Sequence, residues 1–272
     1  MGELGAIRNY AYWGDRRIRE LASSNSISLE RRTNWKAKLG SVPFLGSLEI
    51  VEQARISDRA EIAVRMETAI GALAVEDFVN PPSVEFAKGV SRVDFSQLSG
   101  VSSNRDGVVM HIQTQSSIGG RIDVCLFGSL NNTADYVGAS DQPLTGWTSS
   151  AARAIDLYIR SHGTFNKSQW DDPESLAVEA LKIATQQGMN EKWEENQDKP
   201  WMRGSTLGHA DESEWFAQIY SDVVLDKDRW TFRPGDGIDQ DVERILIGAP
   251  LWVRTPGQKS VTRYSELRRS IG

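Results

Sequence analysis

The histidines and cysteine of this 272-residue chain are few and scattered. There are three histidines, His111, His162 and His209, and one cysteine, Cys125. No two histidines have the short spacing of a metal-ligand pair, and a Ser-His-Asp arrangement would have to be assembled from distant segments. The run from His209 to Glu214 is dense in potential ligands, but a helix N-terminus attracts the same acids to its unpaired amides, so the run predicts a helix cap. The turn from Asp236 to Asp241 lacks the ligand spacing and closing glutamate of a calcium loop. The better candidate is the corner Trp13-Gly14-Asp15-Arg16-Arg17. A strand that ends at glycine, a helix start and paired guanidiniums can together hold an anion through backbone amides and arginine forks. Asp15 counts against it, because a carboxylate there satisfies the same amides.

A second loop offers amide donors for the same ligand. Phe127-Gly128-Ser129 closes an apolar run and leads into Leu130-Asn131-Asn132-Thr133-Ala134-Asp135. A hydrophobic strand running into Gly-Ser resembles the opening of the nucleotidyltransferase motif, which implies a backbone that approaches nucleotide phosphates and a later Asp-x-Asp pair for two metal ions. Val137 stands where the partner of Asp135 would be, so the metal clamp is incomplete. The expected ligand-binding set is Tyr12, Trp13, Arg16, Arg17, Gly128, Ser129 and Asn131, with no metal site, no catalytic residue and no cofactor assigned. The alternative is a metal-dependent phosphoester- or nucleotide-processing enzyme using Asp123, Asp135 and Asp141 near Ser129.

The elements that must position these residues centre on a hairpin. Val108, Met110 and Ile112 alternate with Val109, His111 and Gln113; Ile122, Val124 and Leu126 alternate with Arg121, Asp123 and Cys125. Period two predicts strands, and Gly119-Gly120 predicts the reversal between them. Upstream, residues 7–13 read as an aromatic strand, 16–23 as a helix with Ile18, Leu21 and Ala22 on one face, 41–51 as containing a short strand, 84–97 as a strand. Asp58-Arg59-Ala60-Glu61 has capping-box spacing, followed by Ile62, Met66, Ala69, Ile70 and Leu73 at helical intervals. Downstream, helices are predicted through Ala151–Ile159, from Asp172 with Pro173 at its first position, and from the Asp211/Glu214 capping box through Trp215, Phe216, Ile219, Tyr220 and Val223. Glu191–Arg203 reads as a surface loop, and residues 245–253 as a last strand.

This order predicts an α+β fold: an antiparallel or mixed sheet with helices packed mainly on one side, followed by a helix-rich C-terminal part. Residues 1–145 would form the sheet region and 146–272 a helical layer whose terminal strand rejoins the sheet, the two together making one domain or two. The expected core includes Ile62, Met66, Ile70, Val109 or Met110, Val124, Leu126, Ile155, Ile159, Leu181 and Ile247.

Composition is that of an ordinary globular protein, 39% hydrophobic and 25% charged. No apolar run reaches the length of a membrane span, the N-terminal residues lack the pattern of a secretory signal, and a single cysteine rules out an internal disulfide framework, so a cytoplasmic protein with no membrane association is expected. A net charge of −6 argues against general nucleic-acid affinity. The charge is uneven: residues 1–38 hold eight basic against four acidic side chains and residues 259–272 four against one, leaving the middle strongly acidic. Tyr10-Ala11-Tyr12-Trp13-Gly14-Asp15-Arg16-Arg17-Ile18-Arg19, with the 128–138 loop and Ile245–Leu251, resembles an uncharacterised bacterial protein family that begins with an aromatic strand and a basic helix. That resemblance implies no activity. The expectation is therefore a binding module for a small anionic, nucleotide-like ligand or a protein partner, itself or a copy of itself included.

Overall fold

The computed structural model describes residues 9–29, 47–79, 82–98, 107–133, 171–189, 204–233 and 238–264. The chain divides into two compact units, residues 15–73 and the remainder.

The smaller unit is helical. Helix α1 (Asp15–Ser24) carries its acid in the first turn and buries Ile18 and Ala22. Arg19 donates through Nε to Asp15 Oδ2 at 2.7 Å, and Arg16 to Glu20 Oε1 at 2.8 Å, each one helical turn apart. Helix α2 (Ser47–Ile70) buries Ala63, Met66 and Ile70 on one stripe, while Ile62 is half-buried. The expected strand within residues 41–51 is not found in its described part, because Ser47–Val51 already belong to α2. The helix therefore runs through the Asp58–Glu61 box instead of starting there.

The larger unit is built on strands: β1 (Asn9–Trp13), β2 (Ala74–Val75), β3 (Phe86–Leu98), β4 (Gly107–Gln115), β5 (Arg121–Ser129), β6 (Gly188–Met189), β7 (Gly204–Val224), β8 (Val242–Thr255) and β9 (Val261–Arg263). Five of them close into a barrel in the order β3-β4-β5-β8-β7, with β7 pairing back to β3. All ring pairings are antiparallel except β5 with β8, which is parallel. β1 adds antiparallel to the end of β8.

Val93 and Phe95, Val108, Met110 and Ile112, Ile122, Val124 and Leu126, Ala217 and Ile219, and Leu246 fill the interior. The opposite faces of β4, β5 and β8 are also buried. Val109, Cys125, Phe127, Ile245 and Ile247 pack with Ala177, Leu181 and Ala184 of helix α3 (Pro173–Thr185), which lies across the outer wall. A third apolar group is aromatic: Trp13 stacks on Trp252 at 5.9 Å, and Trp252 meets Phe216 at 4.7 Å.

The expected α+β architecture is therefore corrected. The fold is mostly β around a closed barrel, the described residues contain three helices, and the C-terminal part is not helix-rich. The decisive misreading is the helix predicted from Asp211 through Val223, which is the middle of the 21-residue strand β7. Trp215, Ala217 and Ile219 face the interior, yet Phe216 between them is buried too. A strand covered on both faces loses its polar alternation, and its apolar residues then match helical spacing by chance. Bulges at Ser91/Val93 and Phe95/Ser96 and positive φ at Gly208 (155°) and Glu212 (49°) bend the β3–β7 ribbon around the barrel. The helix predicted through residues 151–159, the loop 191–203, and the core candidates Ile155 and Ile159 lie outside the described residues. Among the described residues no helix is long and apolar enough to cross a membrane.

Candidate functional site

The outer face of β3, β4 and β5 changes character along its length. Where α3 lies on it, the residues are Val109, Cys125 and Phe127; further along they are Asp94 and Ser96, His111, and Arg121 and Asp123. Strand register brings these together. Asp94 is directly opposite His111, which is directly opposite Cys125, and Asp123 is two pairs further on, opposite Gln113. The tight turn that sets this register bonds Ser116 N–H to Gly120 O at 2.8 Å and Gly119 N–H to Ser116 O at 2.9 Å, with Gly119 at φ +100°.

Asp123 is fully buried and holds three hydrogen bonds. His111 Nε2 lies 2.7 Å from its Oδ1, and Arg121 donates through Nε to Oδ2 at 3.0 Å and through Nη2 to Oδ1 at 3.2 Å. The remaining arm of Arg121, Nη1, reaches Asp239 Oδ2 at 2.6 Å and Asp241 Oδ1 at 2.7 Å. Burial works against the charge on Arg121, but the carboxylates of Asp123 and Asp239 outweigh it and hold its pKa above the ordinary arginine range. Asp239 and Asp241, from the acidic run that lacks calcium-loop spacing, thus supply carboxylates to an arginine.

Above this chain of groups lies a cavity of about 300 Å³. Its walls are Asp94, Ser96, His111 and Asp123 from the barrel, Ala184 and Thr185 from α3, Gln187, Thr206 of β7, and Asp239. Cys125 is the register partner of His111, yet it is no activated thiol. Burial, and then the nearby Asp123 carboxylate, push its pKa well up.

The residues predicted as a binding set have other surroundings. Tyr12 is buried in the barrel's interior cluster, and its hydroxyl accepts from Asn132 Nδ2 at 2.9 Å. It sits directly over Gly128, so these two do meet, through packing. Trp13 belongs to the aromatic group with Tyr10 and Trp252. Gly128 and Ser129 end β5, paired with Val108 and Gly107, and Asn131 is exposed in the turn Leu130–Thr133. Arg16 and Arg17 are on α1 in the smaller unit, where both reach Glu20, at 2.8 and 3.9 Å. Asp135, Asp141 and His162 lie outside the described residues. His209 is within β7, its ring against Tyr264. Among the described residues no three His, Cys, Asp or Glu side chains come close enough to share a metal ion.

The cluster that sequence reasoning missed was half visible. Arg121 and Asp123 alternate on one side of a predicted strand, and His111 alternates on the partner strand. Only the hairpin register shows that the three converge. No protein-family model, no curated protein and no solved structure matches this chain.

Proposed function

We propose that the protein is a binding module for a small organic molecule, seated in the cavity over β4 and β5. The observation that supports this is the chain His111–Asp123–Arg121 sunk into the barrel wall and bordering a space of about 300 Å³. Placing a carboxylate, a guanidinium and an imidazole where Val109, Cys125 and Phe127 continue as plain hydrophobes costs desolvation, and an apolar substitution would serve the fold as well or better. Ionisable groups placed in a cleft against that cost are the usual mark of a binding site. The volume equals that of about ten water molecules, so it suits a ligand of roughly that many heavy atoms.

The test is a thermal-shift and NMR titration against a panel of small metabolite-like compounds, using the wild type and Thr206→Phe, which fills the space from β7. A binder should raise Tm and move the His111 ring resonances, and Thr206→Phe should lose both responses while keeping its circular dichroism. Binders that act equally on Thr206→Phe, or that shift resonances elsewhere on the barrel, would refute the reading.

A further inference from the structure

We infer that the ligand of this cavity is a small organic cation, an amine that brings N–H donors, and not an anion; this rests on the binding reading above. The argument is an inventory of donors and acceptors. All three nitrogens of Arg121 are engaged by Asp123, Asp239 and Asp241, so the one guanidinium in the wall keeps a single N–H, on Nη2, for anything else. The acceptors are in surplus. Asp94 takes both hydrogen bonds from Arg92 on Oδ1, at 3.0 and 2.8 Å, which leaves Oδ2 without a donor among the described residues. Asp239 meets Arg121 through Oδ2, so its Oδ1 is in the same condition. His111 is nine-tenths buried, and its contact is through Nε2.

Since Asp123 is the acceptor for Arg121 as well, the hydrogen between Asp123 and His111 is on Nε2, which commits that side of the ring to the barrel wall. Three carboxylates line the space against one arginine. An anion would meet that surplus as repulsion, whereas an ammonium group supplies the positive charge that offsets it and donates to the carboxylates. A metal ion would need three of these ligands around one point, which the described residues do not provide. Spread acceptors suit an extended organic cation.

The experiment compares 1,4-diaminobutane, 1,4-butanediol, inorganic phosphate and AMP by calorimetry and by the His111 ring shifts, in wild type, Asp94→Asn, Asp239→Asn and Thr206→Phe. The diamine should bind, the diol at least tenfold more weakly, and phosphate and AMP should leave His111 unmoved. Each Asp→Asn change should weaken the diamine by about tenfold or more, the loss of one charge-assisted hydrogen bond. Asp239→Asn leaves Asp241 on Arg121, so it should fold, and Asp94→Asn provides an independent check. Phosphate or AMP binding in the cavity, abolished by Thr206→Phe, would overturn the cation inference while leaving the binding reading intact. A diol as tight as the diamine, or a diamine that does not bind the wild type, would overturn it as well. A diamine that binds Thr206→Phe as tightly as wild type would remove the binding reading itself.

Discussion

Arg244 grips Asp222 with two parallel hydrogen bonds, Nε to Oδ1 and Nη2 to Oδ2, both 2.7 Å, and both side chains are almost fully buried. Asp222 Oδ2 also accepts the backbone N–H groups of Ser83 and Val84, each at 3.1 Å, and Arg244 Nη1 donates to Phe78 O at 3.0 Å. A single β7–β8 ion pair therefore pins the segment leading into β3. Asp222→Ala should destabilise the protein by about 3–5 kcal/mol, because it strands a buried guanidinium. Asp222→Leu combined with Arg244→Met should cost clearly less than Asp222→Ala. Urea unfolding of the variants decides; a loss below 1 kcal/mol for Asp222→Ala would show that the pair is solvated in solution.

The contact between Tyr12 and Gly128 gives a second prediction. A Cβ at residue 128 would lie 2.5 Å from the Tyr12 hydroxyl and 3.0 Å from its ring, and Tyr12 is buried. Gly128→Ala should cost about 1–3 kcal/mol as overpacking. Tyr12→Phe alone should cost about 0.5–1.5 kcal/mol through the hydrogen bond from Asn132. The double variant should be less destabilised than the two singles combined, since the clashing oxygen is gone. Strict additivity in denaturant melts would contradict the close approach.

Cys125 should be inert in the folded state. It is fully buried, and burial together with Asp123 disfavours its thiolate. A charged thiol reagent should label it only at the rate of unfolding, so stabilising the fold should slow labelling in proportion. Fast labelling under native conditions would exclude this.

Acid should loosen the start of α3 only at low pH. Asp172 was expected to cap that helix, and it is the N-cap residue, but its side chain makes no cap bond. It pairs instead with Arg229 and accepts from the Ser175 hydroxyl, which brings its pKa down to about 2. A depressed carboxyl contributes stability above its unfolded pKa, about 3.9 for Asp, and loses it as pH falls towards the folded value. The stability gap between wild type and Asp172→Asn should thus be constant above about pH 4 and close between about pH 4 and pH 2. Because the pair is partly exposed, the gap should also shrink in high salt. A gap that widens on acidification would refute the assignment.

The central hairpin was legible because its strands still alternate at their polar ends: His111 and Gln113 against Ile112, Arg121 and Asp123 against Ile122. Helix α3 was legible from Asp172-Pro173 and the stripe Leu176, Ala180, Leu181, Ala184. The barrel was not. Closure depends on β7 pairing with both β3 and β8, and neither the 13 residues of β3 nor the 21 of β7 announce two barrel neighbours each. The site was concealed for the same reason. The converging charges come from β3, β4, β5 and the segment around Asp239, and the sequence separations between them are set by register and by the parallel β5–β8 pairing. Arg16 and Arg17, by contrast, attracted attention as neighbours in sequence, whereas each has its acid one helical turn away on α1.

The pairing of β1 with β8 has a temporal consequence. Asn9–Trp13 bond to Trp252–Thr255, so β1 finds its place only when the last barrel strand, about 240 residues later in the chain, has been made. At about 5–20 residues per second, Tyr10, Tyr12 and Trp13 wait for tens of seconds without their partners. Burial of this aromatic segment should therefore be a late event, following the pairing of β8 with β5 and β7.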